Sequence, residues 1–579
     1  MYKFVDLTKE QQHERRELLD FYGLTAQCSV ILPLFAIGVL HVVSLSRKWW
    51  PRGTVETPAS PYVKAAREAK GFTVAGVRNR WRRAAWWSGD PLHVFGYHVG
   101  TKGEILWGTV WTAWLLVLTF LDTGDDYLHL TKRFGAVGGS QLPFHYLLSM
   151  KSPWAPLQIL TGSSEATLLS AHQILGRIIV GFFWAHVALY VNFYVVKSLL
   201  LAKLQKFFII CGIIAIISFT TLSTTALKVV RDKSYRIFYI THVSLATCLL
   251  PLLYWHVHHI RPFVYETVFI YLVNVVLRFF ATRKHAGTIR QVKDAGLVEI
   301  NLPLSAGAMK WHPGQHAYVS LAGNPFLRTF KTNPFTCASI PAIDNKLRFV
   351  ARILDGNTAK LAKADKETQI FSVEGPYGLA SHADRLLGYD RVLFVAGGVG
   401  ATFVAPLYRQ LLSDLSPSKG SHRRQRVSFV WAARTLSEVA WALPEDVKER
   451  DGFTERLTVH LSRQSDGQIE DSSFALANDD DDEGPGEEGI EMEEQKKLLH
   501  EGTDEDGSKP GLPAQGLQIR NGRPNLVTVV DQVFMQSSTE RVAVVVCGPR
   551  QLSQSLRIQV ARWVRKGRDV WYWDEAFAL

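Results

Sequence analysis

Cysteine is scarce. The five in this 579-residue chain (Cys28, Cys211, Cys248, Cys337 and Cys547) form no CxxC pair, and three of them lie in apolar runs. That excludes a disulfide framework and a zinc site, and the apolar three read as small buried hydrophobes. Charge is also limited, at 20% of residues against 47% hydrophobic, which excludes disordered and collagenous chains. No segment repeats. The N-terminal run MYKFVDLTKEQQHERRELLD is too charged and too far from the first apolar stretch for a cleavable signal peptide, so the first span is expected to anchor the chain itself.

What is abundant is length of apolar run. About 20 apolar residues cross a bilayer, and seven segments qualify: Ser29–Ser46, Ile105–Leu121, Pro143–Leu160, Ile174–Val196, Phe207–Leu227, Phe238–Tyr254 and Val264–Phe280. The third is interrupted by Lys151 and Pro153. The net charge of +12 joins unlike parts: residues 470–509 carry 16 acidic and 3 basic side chains, a net of −13, which leaves +25 elsewhere. A basic chain suggests a nucleic-acid binder. Here, however, Arg47–Lys48, Arg78, Arg80 and Arg82–Arg83 interleave with Trp49, Trp50, Trp81, Trp86 and Trp87 beside an apolar span. That pattern suits a cytoplasmic membrane surface, with no nucleic-acid partner. With seven spans this loop, Lys228–Arg236 and Arg283–Lys284 share the cytosolic side, so the C-terminal half is expected to be cytosolic.

Past residue 285 the pattern changes. Short alternating runs such as LVEINLP and HAYVSLA read as antiparallel strands to about residue 385. RVLFVAGGVGATFVAPLYRQLL then reads as a buried strand, a glycine turn and a helix, with RVSFVWAAR and ERVAVVVCGP as further buried strands of a parallel sheet. The expected division is an N-terminal segment (1–24), a transmembrane domain (25–285), an antiparallel β-barrel (286–385) and an α/β domain (386–579) with a disordered acidic insertion at 470–509.

Ionisable residues inside spans mark function. The fourth span holds His172 and His186, and the sixth His242 and His256. Both spacings are 14 residues, which returns a helix to within roughly 40° of the same face about 21 Å further on. Side by side, two such helices offer one facing imidazole pair near each membrane surface, each able to grip an iron porphyrin from both sides. His258 and His259 sit on other faces, which favours His256; His41, His93, His98, His129 and His145 lack the arrangement and read as structural or surface groups.

The HxxxGR run opening the fourth span (His172–Arg177), the two His pairs and the β-then-α/β order resemble the ferric reductase / NADPH oxidase superfamily over residues 100–579, its fungal ferric-reductase branch above all. The resemblance implies a bis-His haem four-helix core followed by a ferredoxin-NADP-reductase-like unit, an FAD-binding barrel plus an NADP-binding α/β domain. WHPGQHAYV supplies the flavin strand with Pro313, Gly314 and Gln315; NPFTCAS supplies Asn333, Pro334, Phe335, Thr336 and Ser339, with Thr336 at the isoalloxazine edge near N5. Asn333 stands where the family has histidine, and as a hydrogen-bond donor it implies altered flavin binding, not its loss. ARILDGNTAKL supplies Arg352, Gly356 and Thr358 to the pyrophosphate.

For the nucleotide the resemblance implies Gly397, Gly398, Gly400 and Thr402 in the glycine turn, whose N–H groups and helix end meet a pyrophosphate. Cys547, Gly548 and Pro549 come near the nicotinamide, although Cys547 also reads as a plain buried thiol. Ser462 and Arg463, with Arg434 and Arg523, meet the 2′-phosphate and favour NADPH. In the terminal WDEAFAL, Phe577 stacks on the flavin with Glu575 as its polar neighbour, while Leu579 replaces a further aromatic. The implied path is NADPH, FAD, inner haem (His172, His242), outer haem (His186, His256), then an exoplasmic acceptor. A ferric or cupric chelate leads, ahead of dioxygen in a superoxide-generating oxidase; a degenerate membrane scaffold is the alternative outside enzymes. The plasma membrane is favoured over the endoplasmic reticulum.

Overall fold

Thr8 starts the first helix: its hydroxyl accepts from the Gln11 N–H and the Gln11 side chain accepts from the Thr8 N–H, a capping box that opens α1 (Lys9–Cys28). In this computed structural model the described residues are 2–46, 74–94, 97–304, 309–321, 332–354, 357–363, 368–379, 381–416, 425–444, 447–462, 517–536 and 540–575. The acidic insertion, Gly356, Arg463 and Phe577 lie outside them. Leu19, Tyr22, Gly23 and Ala26 bury one stripe of α1, so the polar N-terminal segment is helical and leads almost directly into α2 (Ile31–Ser46). The next described helix is α3 (Val74–Ser88).

Among the described residues six helices are long and apolar enough to cross a membrane: Lys9–Val43, α4 (Lys102–Phe120), α8 (Glu165–Val196), α9 (Phe207–Thr225), α10 (Tyr235–His256) and His258–Phe280, most of which is α11 (Arg261–Phe280). Their outward faces keep large apolar side chains such as Leu32, Phe35, Phe269 and Phe279 exposed, as lipid contact demands. The expected span Pro143–Leu160 is not one helix. It breaks into α6 (Leu142–Leu148) and α7 (Pro156–Thr161), with a proline in the first turn of each.

Alongside α8 runs α5 (Tyr127–Ser140), continued after a break by α6. Its Lys132 and Arg133 hide it from a hydropathy reading. Buried Arg133 is held by its two terminal nitrogens and its face, donating to the Leu118 carbonyl at 3.1 Å, approaching His129 Nε2 at 3.0 Å and lying over the Tyr22 ring at 4.0 Å.

The first barrel strand follows α11 after one residue. β1 (Thr282–Val292), β2 (Leu297–Pro303), β3 (His316–Leu321), β4 (Asn333–Thr336), β5 (Lys346–Arg352) and β6 (Gln369–Tyr377) pair antiparallel in the order β4-β3-β6-β1-β2-β5. Inward residues such as Val298, Ile300, Ala317, Phe349 and Phe371 form its core. The second sheet is wholly parallel: β7 (Arg391–Gly397), β8 (Arg426–Ala433), β9 (Leu457–Leu461), β10 (Gln518–Asn521), β11 (Val542–Cys547) and β12 (Val570–Asp574), ordered β10-β9-β8-β7-β11-β12. Every residue of β7 and β11 is buried, because helices cover both faces: α12 (Ala401–Asp414) on one, α13 (Leu526–Phe534) and α14 (Arg550–Arg565) on the other.

Polar contacts join the three parts. Arg278 of α11 forks onto Glu374 of β6 at 2.7 and 3.2 Å, and Tyr377 donates to the same carboxylate at 2.7 Å. Lys151 donates to the Tyr318 hydroxyl at 2.8 Å, and Glu165 lies 3.3 Å from His316. Part of the Arg/Trp-rich segment packs on the α/β domain, while Trp81 and Trp87 stay exposed. On α3, Arg82 pairs with Asp569, while Arg557 of α14 donates to the Trp86 carbonyl at 2.7 Å and covers its ring at 4.4 Å. Tryptophan and arginine stack there against the α/β domain. Glu374 is 1% exposed, so Arg278→Ala strands most of a buried charge. The expected cost is about 3 kcal/mol, read as a lower thermal transition for the flavin barrel while the nucleotide domain's transition holds.

Candidate functional site: paired imidazoles and a reductase unit

α8 and α10 bring the four expected histidines into two pairs. The His172 and His242 ring centroids are 6.2 Å apart with planes at 66°; those of His186 and His256 are 6.4 Å apart at 83°. Three of the four Nδ1 atoms are tied to main-chain carbonyls: His172 to His145 (3.0 Å), His186 to Thr131 (2.8 Å) and His256 to Phe208 (2.8 Å). A ring donating through Nδ1 keeps the Nε2 lone pair for a metal. A metal about 2.0–2.1 Å from the nitrogen of each ring, plus half of each ring, sets centroids roughly 6 Å apart. The residues therefore fit one planar metal group gripped from both faces at each level.

Glycines make room. A Cβ on Gly135 would come within 2.7 Å of His186 Nδ1, and one on Gly212 within 2.4 Å of His256 Cε1. His259 turns away to Asp20, 3.4 Å distant. Among the described residues no three His, Cys, Asp or Glu side chains cluster as a metal site. From the inner pair a cavity of about 2100 Å³ runs past Tyr239 and Arg278 to Lys284, Ser372 and Arg550, so it touches the membrane helices, the flavin barrel and the nucleotide domain.

In the barrel, Gly314 turns the chain with φ +86° after Pro313, and a Cβ there would meet Leu407 and Trp573 of the nucleotide domain at 3.4 Å. Gln315 is 7% exposed, with its side chain accepting from the His312 N–H and donating to the Gly378 carbonyl, so that side chain locks the turn. Thr336, 5% exposed, ends β4 opposite His316. Asn333 and Pro334 begin that strand half-buried, and Phe335 fills the core beneath. Ser339 is fully buried and accepts from the Arg348 N–H; Thr358 accepts from the Leu354 N–H, closing its own turn. Arg352 ends β5, half-buried.

The residues expected at the nucleotide lie together at the carboxyl ends of β7, β8, β9 and β11, where open α/β sheets bind ligands. Gly398 has φ +53°, and Thr402 donates to the Val399 carbonyl at 2.8 Å. The turns holding Gly397 and Gly548–Pro549 touch: a Cβ on Gly397 would sit 2.7 Å from Pro549 Cδ. Ser462 donates from its N–H to the Ala433 carbonyl at 2.9 Å, beside exposed Arg434; Gly522 donates to Leu461, which brings Arg523 to the same edge. Cys547 is 1% exposed, and burial, then the Glu575 and Asp574 carboxylates, push its thiol well above the usual range. Glu575 donates from its N–H to Val546 at 3.0 Å, beside Cys547, and burial raises its own carboxyl. Sequence reasoning missed His316, Lys151 and Glu165 at the barrel–membrane contact; the only signal was that His316 follows the PGQ run directly. It also read His145 as an ordinary structural group, although that ring lies against His172.

Fold and site together define a membrane-embedded helical bundle feeding a ferredoxin-NADP-reductase-like pair of domains. Three family models match the chain in the same order. Residues 134–253 match the ferric reductase like transmembrane component, 285–381 an FAD-binding domain and 389–561 the ferric reductase NAD binding domain. The chain is 23% identical over 472 residues to a probable metalloreductase of Meyerozyma guilliermondii, covering 78% of this chain and 86% of that one. It is 24% identical over 452 residues to ferric/cupric reductase transmembrane component 1 of Candida albicans, covering 75% and 55%. A probable cell surface ferric reductase of Aspergillus oryzae is 26% identical over 366 residues, covering 57% and 47%. This chain belongs to the ferric reductase family of multi-pass membrane oxidoreductases, with FAD- and NAD(P)-binding domains at its C-terminal end.

Proposed function

We propose that the chain carries electrons from cytosolic NADPH, by way of FAD and two b-type haems, to a ferric or cupric chelate outside the plasma membrane. The supporting observation is the doubled imidazole pair, with centroids 6.2 and 6.4 Å apart at two levels of α8 separated by about 21 Å of helix rise. NADPH yields two electrons as hydride, flavin supplies the conversion to single electrons, and haem iron supplies one-electron redox chemistry.

The chain's own residues hold and orient. His172 and His242 would grip the inner group, and His186 and His256 the outer. With imidazole on both faces, a group held there would keep no open coordination position, and the acceptor would meet the rim of the outer site. Thr336 would offer its hydroxyl at the flavin edge, and the turns at Gly397–Gly400 and Cys547–Pro549 would hold the nicotinamide nucleotide. Ser462, Arg434 and Arg523 lie on one edge, which supports recognition of a 2′-phosphate. The basic segments 228–236 and 283–284 support a cytosolic C-terminal half, and relatives named as metalloreductases and as a cell surface ferric reductase support the acceptor and the membrane.

Purified protein with NADPH and FAD is expected to show a b-type reduced-minus-oxidised spectrum and to reduce ferric chelate equally with and without superoxide dismutase. Loss of the signal with dismutase would assign an oxidase instead, and absence of the spectrum would remove the haem path. Gly212→Val, which drives a branched side chain into the His256 ring, is expected to lower haem content from two to one per chain, measured on the purified protein against its FAD content.

A further inference from the structure

The inner and outer imidazole pairs differ by a third histidine. His145 of α6 lies face to face with His172, their centroids 3.9 Å apart and their planes 10° apart. Its main-chain carbonyl accepts the His172 Nδ1 proton at 3.0 Å, so one residue holds that ring both by an edge and by a face. The contact needs glycine at position 176, where a Cβ would come within 2.9 Å of His145 Cε1. At the outer level His186 meets Tyr190 edge-on, at 5.0 Å and 75°, and no aromatic ring stacks parallel on His186 or His256 among the described residues.

Packing alone does not account for an imidazole here. His145 Nδ1 is buried without a hydrogen-bond partner among the described residues, and a leucine or phenylalanine would fill the space without that desolvation cost.

We infer that His145 is a positioning residue that fixes the plane of His172 and, through its ring face, makes the inner site the lower in potential of the two. The face of an aromatic ring is its negative side, and laid on His172 it favours the more positively charged, oxidised state of a metal bound there, as it would favour a cation. The stack also holds the inner ring planes at 66°, against 83° outside. An electron entering from the flavin side then runs downhill to the outer pair. This rests on the haem assignment of the proposed function.

The test is a reductive titration of the full chain in nanodiscs, with low-spin electron paramagnetic resonance of the oxidised state, for the unsubstituted protein, His145→Leu and His145→Phe. Two b-type waves are expected. In His145→Leu one wave moves upward and one set of g-values changes while the other stays; His145→Phe, which keeps a ring face, remains near the unsubstituted wave. If the leucine variant loses the inner haem while the phenylalanine variant keeps it in place, a positioning role is equally supported. Unmoved waves in His145→Leu, equal shifts in both variants, or loss of inner haem from both would overturn the inference. An unsubstituted protein with no b-type spectrum would remove the haem reading itself, a separate and visible failure.

Discussion

Replacement of His256 by alanine is expected to drop NADPH-driven chelate reduction to background while NADPH still bleaches the flavin at the unsubstituted rate. The two readouts separate because His256 lies on the far side of the inner pair from the barrel. Its ring is one of the outer pair, and its partner His186, anchored to Thr131, remains in place. One low-spin haem signal should go and the other stay. His258 cannot deputise: it begins the short turn after α10, and on a continued helix it would point about 160° from the face shared by His242. If chelate reduction survived at the unsubstituted rate, electrons would be leaving from the inner level or from the flavin, and the outer pair would have no part in the path.

Gly400→Ala should weaken nucleotide use markedly at ordinary NADPH concentrations. A Cβ there would stand 2.2 Å from the Cys547 carbonyl oxygen, 2.5 Å from its carbon and 2.9 Å from the Gly548 nitrogen. All three are main-chain atoms at the end of a fully buried strand and cannot swing aside, so the glycine turn and the Cys547–Pro549 turn must separate. Such overpacking costs about 1–3 kcal/mol. If it acts on the bound geometry, the KM for NADPH rises about tenfold or more. Flavin reduction across a range of NADPH, with a thermal melt alongside, distinguishes weaker binding from unfolding. An unchanged KM would mean the two turns do not act as one nucleotide cradle.

What the sequence made legible were features with a period. A repeat of 14 residues needs only helix geometry to place two imidazoles on one face, and the structure sets those rings in pairs. Alternation followed by buried runs separated the antiparallel sheet from the parallel one. Features made by approach between distant segments were not legible. α5 was not counted among the spans, and the groups that hold its Arg133, the Leu118 carbonyl and the Tyr22 ring, belong to other helices. The apolar pieces on either side of Lys151 and Pro153 summed to a span, although their prolines start two separate short helices. His145 carried no periodic signal at all, since its importance lies in a stack across α6 and α8. Gln315 and Ser339 were read from motifs alone, and their side chains serve the barrel's own turns.

The 32 residues of α8 run without a proline or a break from Glu165 to Val196. Both of its imidazoles are thereby fixed to a single ruler whose graduations are main-chain hydrogen bonds. A thinner or thicker bilayer can lean that ruler, but it cannot stretch the interval between the two marks. The distance between the two imidazole levels is a property of the polypeptide, indifferent to the lipid around it.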